Sequence, residues 1–141
     1  MIKKGDRIFY RKKNDFKNIV LIEMLKFIAD KTNIALSPSE KKSNKFAIDS
    51  SIDSESEKII KILIKGNASD LKKYLPIEGN MIKPLYLFLD QEILLYAKLR
   101  NLKFKKEKKK KDKIKNFEDE FEKKHPEVKR AIVNSLLELY A

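Results

Sequence analysis

The sequence predicts a helix-dominated α/β fold, with about two short parallel strands and a helical C-terminal region. Three observations predict it. Apolar residues recur at helical spacing, as at Phe16, Ile19, Val20, Leu25, Ile28 and Ala29. Two brief apolar runs, Arg7–Tyr10 and Phe46-Ala47-Ile48, suit short strands. Between them and beyond them stand residues that start and stop helices.

A first helix runs from Asp15, a suitable N-cap, to Asn33, a suitable stop. Residues 34–45 are polar, contain Pro38 and read as a loop. After Phe46–Ile48, Ser54 and Glu57 stand at capping-box spacing and open a second helix. Its core face is Ile59, Ile60, Leu63 and Ile64, and Gly66 ends it because glycine takes φ > 0 without strain. A short helix over Ser69–Leu75 stops at Pro76, and Met81–Leu89 is an apolar connector broken by Pro84. Asp90 caps a helix to about Asn101 with Ile93, Leu94, Tyr96 and Ala97 inward. Asn116–Lys124 is a short helix carrying Phe117 and Phe121. Pro126 opens the last one, which buries Val128, Ile132, Leu136 and either Ala131 or Val133. The expected organisation is a core over 1–102, a mobile Lys-rich segment over 103–113 and a helical region over 114–141.

Composition narrows function. Net charge is +12, so polyanions are attracted and nucleic acid is the usual one. Only Arg7, Arg11, Arg100 and Arg130 are arginines, so lysine supplies nearly all of the positive charge. An AT-rich genome or a thermophile's Lys–Glu habit yields a similar balance. Lys103, Lys105, Lys106, Lys108, Lys109, Lys110, Lys111 and Lys113 form one run, read either as a solvated face or as contacts to a phosphate backbone. Cysteine is absent, which excludes disulfides, zinc-thiolate sites, Fe–S clusters and thiol nucleophiles. The N-terminus turns polar at once and no apolar run is long enough to span a bilayer, so a soluble cytoplasmic protein without a membrane partner is expected.

Few residues suggest chemistry. Gly5, Gly66 and Gly79 do not cluster, so no glycine-rich phosphate cradle is expected. Asp49, Asp53, Glu55 and Glu57 could hold Mg²⁺ beside a phosphate, or could be helix-start acids that complement the macrodipole. His125 has no second histidine with which to share a ligand and suits a structural or capping role. Tyr10, Tyr74, Tyr86, Tyr96 and Tyr140 suit the core or its edge.

Five segments resemble a known family. Ala47-Ile48-Asp49-Ser50-Ser51-Ile52-Asp53-Ser54-Glu55-Ser56-Glu57 resembles the A-x-G-H-x-L-D-D-E-A-E segment of PP-loop (N-type) ATP pyrophosphatases. Lys65-Gly66-Asn67 resembles the helix stop that follows it. Ile82-Lys83-Pro84-Leu85 and Gln91–Leu99 resemble the I-x-P-L and E-x-x-L-Y-A segments of the tRNA 2-thiolation branch, the TtuA-like sulfurtransferases. Glu122-Lys123-Lys124-His125-Pro126-Glu127-Val128-Lys129 is similar to that branch's E-x-K-H-P-x-x-K element. Order and spacing hold from about residue 20.

The resemblance implies a partial Rossmann-like unit, of the adenine nucleotide alpha hydrolase type, in a degenerate relative matching the family's C-terminal half. The family's S-G-G-x-D-S loop has no counterpart. Its motif histidine is Ser50 here, the preceding glycine Asp49 and the second aspartate Ser54, which leaves Asp53. A family cysteine is replaced around Lys103-Phe104-Lys105. Asp49, Ser50, Asp53 and Ser54 therefore form a vestigial motif. ATP, Mg²⁺, zinc and Fe–S are not expected to bind. The first expectation is a non-catalytic accessory protein that binds tRNA or an active thiolation subunit through its basic surface. A second is a chain supplying Asp53 to a composite site, and a third is a truncated relic, its missing strands supplied by self-association or not at all.

Overall fold

The two expected strands lie side by side and parallel. β1 (Arg7–Tyr10) pairs with β3 (Lys45–Ala47), with Phe9 opposite Phe46 and Tyr10 opposite Ala47. The computed structural model describes residues 1–37, 39–105 and 113–140, and of residues 113–115 and 118 the backbone alone. Three further strands of two residues each complete the sheet: β2 (Ala35–Leu36), β4 (Ile77–Glu78) and β5 (Met81–Ile82). The order is β2-β1-β3-β5-β4, parallel except for the β4–β5 hairpin at one edge. β2 falls where a loop was expected, and β5 opens the expected connector. Two residues are too few for alternation to show in sequence.

Between the strands run α1 (Phe16–Lys31) and α2 (Ile52–Lys65), and after the last strand come α3 (Asp90–Leu99), α4 (Lys113–Lys124) and α5 (Val128–Leu139). The Ser69–Leu75 helix is a 3₁₀ segment over Ala68–Tyr74, and another 3₁₀ turn covers Glu40–Lys42. Alternation along the strands sends Ile8, Ala47 and Ile82 to one face of the sheet. There they pack with Val20, Leu21 and Leu25 of α1 and with Ile93 and Ala97 of α3. A second core lies between α2, the 3₁₀ segment and α5, built from Ile52, Ile59, Leu71, Tyr86, Val133 and Leu136. Each such Ile or Leu stabilises the fold by about 1.5–3 kcal/mol relative to an exposed one.

Several boundaries differ from the sequence reading. α1 is capped by Asp15, which accepts from Asn18 N at 2.8 Å, but it stops at Thr32 rather than Asn33. α2 begins earlier, because Ser51 rather than Ser54 is its N-cap and accepts from Ser54 N. Ser54 therefore lies inside the first turn. The buried stripe then runs from Ile52 through Glu55, Ser56 and Ile59, which leaves Leu63 and Ile64 exposed by 54% and 69%. Gly66 caps the helix at φ +75°. In α3, Ile93 and Ala97 are buried and Leu94 half-buried, while Tyr96 faces solvent; Asp90 is the first helical residue and Leu89 the cap. α4 starts three residues before Asn116. α5 starts two residues after Pro126, buries Val133 rather than Ala131, and leaves Val128 and Ile132 half-buried. Among the described residues, no helix is long and apolar enough to cross a membrane.

Candidate functional site

In an open parallel sheet, ligands bind beyond the carboxyl ends of the strands where strand order reverses. Here that place lies between β1 and β3, and the N-termini of α1, α2 and α3 meet there. Lys17 of α1 donates to Ser54 Oγ at 2.9 Å and lies 3.8 Å from Asp90 of α3. The buried Ser51 hydroxyl donates to Asp90, and Asp90 N donates to Asp53 Oδ2 at 2.7 Å.

The turn from β1 into α1, Arg11–Asp15, occupies the place of a phosphate-binding loop. Part of its backbone is bonded from within the chain. The side chain of buried Asn18 accepts from Lys13 N at 2.7 Å and donates to Arg11 O at 2.9 Å. The Arg11 guanidinium lies 5.8 Å from the Phe46 ring centroid, and Phe46 stacks on Phe9. The turn offers cations but no run of free glycine amides.

The four vestigial-motif residues diverge. Asp49 is half-buried. Ser50 is buried and donates to Glu55. Ser54 receives Lys17. Asp53, which accepts from Asp90 N through one oxygen, meets Lys129 of α5 with the other, and that ammonium also reaches Asp119 and Glu122 of α4 at 2.9 Å each. Lys129 is only 3% exposed. Burial acts to depress its pKa, but hydrogen bonds to Asp53, Asp119 and Glu122 outweigh it and hold the ammonium above the usual lysine range. Oxygens of these three acids lie within 4.8 Å of one another, an arrangement that could suit a divalent cation. The Lys129 ammonium already stands there as the counter-charge.

Glu55 forms a second centre. It is fully buried, 3.2 Å from Lys83 and 3.6 Å from the more exposed Lys58. Lys83 donates to Lys73 O at 3.2 Å and lies 5.8 Å from the ring centroids of Tyr74 and Tyr86. Burial pushes the Lys83 pKa down, and the Glu55 charge offsets this only in part. Tyr86 donates to Tyr74 O at 2.7 Å, and its own pKa is raised by burial and then by Glu55. Glu57 pairs with Lys61 at 2.7 Å along the helix. Of the five tyrosines, Tyr86 is buried, Tyr96 is exposed and the rest are half-buried.

Of the lysine run, Lys103 and Lys105 are exposed, Lys113 begins α4, and Lys106, Lys108, Lys109, Lys110 and Lys111 lie outside the described residues. His125 is exposed and lies 4.9 Å from Phe121 with the ring planes tilted by 39°, and the cap of the following helix is Glu127. Sequence reasoning did not single out Lys17 or Asp119, read Asp90 only as a helix cap, and met Lys83 only as the variable letter of I-x-P-L. Lys129 and Glu122 were present only as letters of the E-x-K-H-P-x-x-K resemblance.

No protein-family model matches the chain, and no curated protein matches it. Among solved structures, it resembles the U34-tRNA thiolase NcsA from Methanococcus maripaludis, a structure with its [4Fe-4S] cluster, at a TM-score of 0.72 and 16% identity. The likeness covers 97% of this chain and 72% of the thiolase, so the shared fold includes β1 and α1 as well as the segments after residue 20. Iron–sulfur clusters are held chiefly by thiolates. With no cysteine and a single exposed histidine, this chain does not fit such a cluster.

Proposed function

We propose that this chain is a degenerate relative of tRNA thiolases, an accessory protein that binds tRNA without transferring sulfur. The observation that carries the reading is the turn Arg11–Asp15. It leads from β1 into α1 at the carboxyl end of the sheet, beside the reversal of strand order where open parallel sheets bind ligands, and it presents Arg11, Lys12 and Lys13 on a backbone pinned by Asn18. A net charge of +12 supports a polyanionic partner. The Ser50 and Ser51 hydroxyls are buried, so neither is open to a substrate as a nucleophile. The absence of thiols supports the same conclusion.

The composite-site reading gains less support. Asp53 has one oxygen on Lys129 and the other on Asp90 N, leaving little for a nucleotide or metal from another chain. If that reading were right, Asp53→Ala would abolish thiolation by a reconstituted pair while assembly persisted. A relic would unfold without cooperativity, because a half-formed parallel sheet lacks cover.

The test is a titration of bulk tRNA at two salt concentrations with duplex DNA as competitor. Binding through about four phosphates weakens roughly 100-fold from about 50 to about 200 mM salt. Tight, salt-sensitive binding that prefers tRNA supports the proposal. Absence of binding, or equal displacement by duplex DNA, removes it.

A further inference from the structure

α4 carries a row of exposed aromatic rings. Phe117 and Phe121 stack with centroids 6.0 Å apart and planes 18° apart, and His125 follows at 4.9 Å from Phe121, its ring tilted by 39°. Phe117 is 61% exposed and Phe121 41%. The ladder faces outward because the helix docks by another side. Asp119 and Glu122 are fixed to Lys129, and at 3.6 residues per turn they stand more than a quarter turn from the Phe117–Phe121 stripe. Phe117 and Phe121 line a shallow hollow with Lys123, Lys124 and Glu120.

We infer that this ladder is a stacking platform for unpaired bases of an RNA strand, with Lys123 and Lys124 meeting the flanking phosphates. The inference deepens the tRNA-binding reading and rests on it. Exposed aromatic rings beside cations are the combination that binds single strands, because every base has a π-face and every nucleotide a phosphate. A protein partner is the poorer fit, since lysine is depleted from the cores of protein interfaces. The eight-lysine run at 103–113 leads directly into this helix in the sequence and adds local positive charge. A base sandwiched between two rings needs roughly 7 Å, two van der Waals contacts. The 6.0 Å spacing of Phe117 and Phe121 is too small for that, so bases lie on the outer faces of the ladder.

The experiment compares the full chain with Phe117→Ala/Phe121→Ala, Phe117→Leu/Phe121→Leu and Lys123→Gln/Lys124→Gln. The probes are bulk tRNA and a short oligouridylate carrying one 2-aminopurine. The alanine variant is expected to lose roughly 5- to 100-fold in affinity for both RNAs and the quenching of 2-aminopurine, with its salt slope unchanged. The leucine variant keeps apolar area and is expected to lose almost as much. The glutamine variant is expected to reduce the salt slope by about 1.4.

Wild-type tRNA binding that the alanine variant retains in full overturns the platform and leaves the tRNA reading standing. Full affinity in the leucine variant overturns stacking in favour of simple apolar contact. Self-association of the wild type that the alanine variant loses, with RNA affinity untouched, gives the face to a second copy of the chain and overturns the inference. A wild-type protein that binds neither RNA overturns the tRNA reading and the platform together.

Discussion

Lys129 and Lys83 are buried to nearly the same degree, 3% and 5% exposed, and both answer an acid from the first turn of α2. Their proton affinities move in opposite directions. Lys129 meets three carboxylates, which outweigh its desolvation. Lys83 meets one within ion-pair distance, shared with Ser50 and Lys58, beside a carbonyl and two aromatic faces, with Glu78 acting only as a more distant charge. A buried ammonium is thus defined less by its depth than by the number of full negative charges within hydrogen-bond reach.

The sharpest way to break this comparison is Lys129→Met, which leaves Asp53, Asp119 and Glu122 facing one another without a cation. It should cost about 3–5 kcal/mol in urea unfolding. Lys83→Met should cost about 3 kcal/mol, the low end for a broken buried pair, because Ser50 and Lys58 stay with Glu55. Adding Glu55→Gln to Lys83→Met should recover most of that loss, since no buried charge then remains. If Lys83→Met costs as much as Lys129→Met, and the second substitution recovers nothing, the count of carboxylates is not what separates the two sites.

Alkaline titration sharpens the contrast. The folded-state pKa of Lys129 lies above the unfolded value of about 10.4, so its contribution is complete below that pH and is lost above it. Stability should fall by up to about 1.4 kcal/mol per pH unit there, and Lys129→Met should lack this component. Lys83 has a folded-state pKa below the unfolded value, so its penalty is relieved as pH rises towards about 10.4. Wild type should therefore gain on Lys83→Met just below that pH. Tyr86 is present in both comparisons and cancels. The smallest effect belongs to the third acid of the same helix. Glu57→Gln removes a partly exposed pair with Lys61 and should cost at most about 0.5 kcal/mol.

Much of this was legible in residues alone. β1, α1 and its Asp15 cap, β3, Gly66 and the Ile93–Ala97 stripe follow from periodicity and cap chemistry. The α2 cap was misplaced because Ser51 and Ser54 carry equal local signals, and only the path of the chain out of β3 chooses between them. That choice sets which residues point inward, so Glu55 became a core residue while Leu63 and Ile64 did not. Asp53, Glu55 and Glu57 are indistinguishable as helix-start acids in the sequence. What separates them is whether Lys129, Lys83 or Lys61 arrives opposite, and for the first two that is a matter of tertiary packing.

Lys129 follows Asp53 by 76 residues. At ~5–20 residues per second of synthesis, the acid waits roughly 4–15 s for its counter-charge. Val133 and Leu136, which cover Ile52 and Ile59, come later still. During translation α2 can therefore form as a helix but cannot finish its inner side. The first layer, with Ile8, Leu25 and Ile93, is complete in sequence before α5 exists. The second closes only when α5 docks, so a nascent chain stalled before that helix exposes an apolar strip to chaperones while its sheet is already formed.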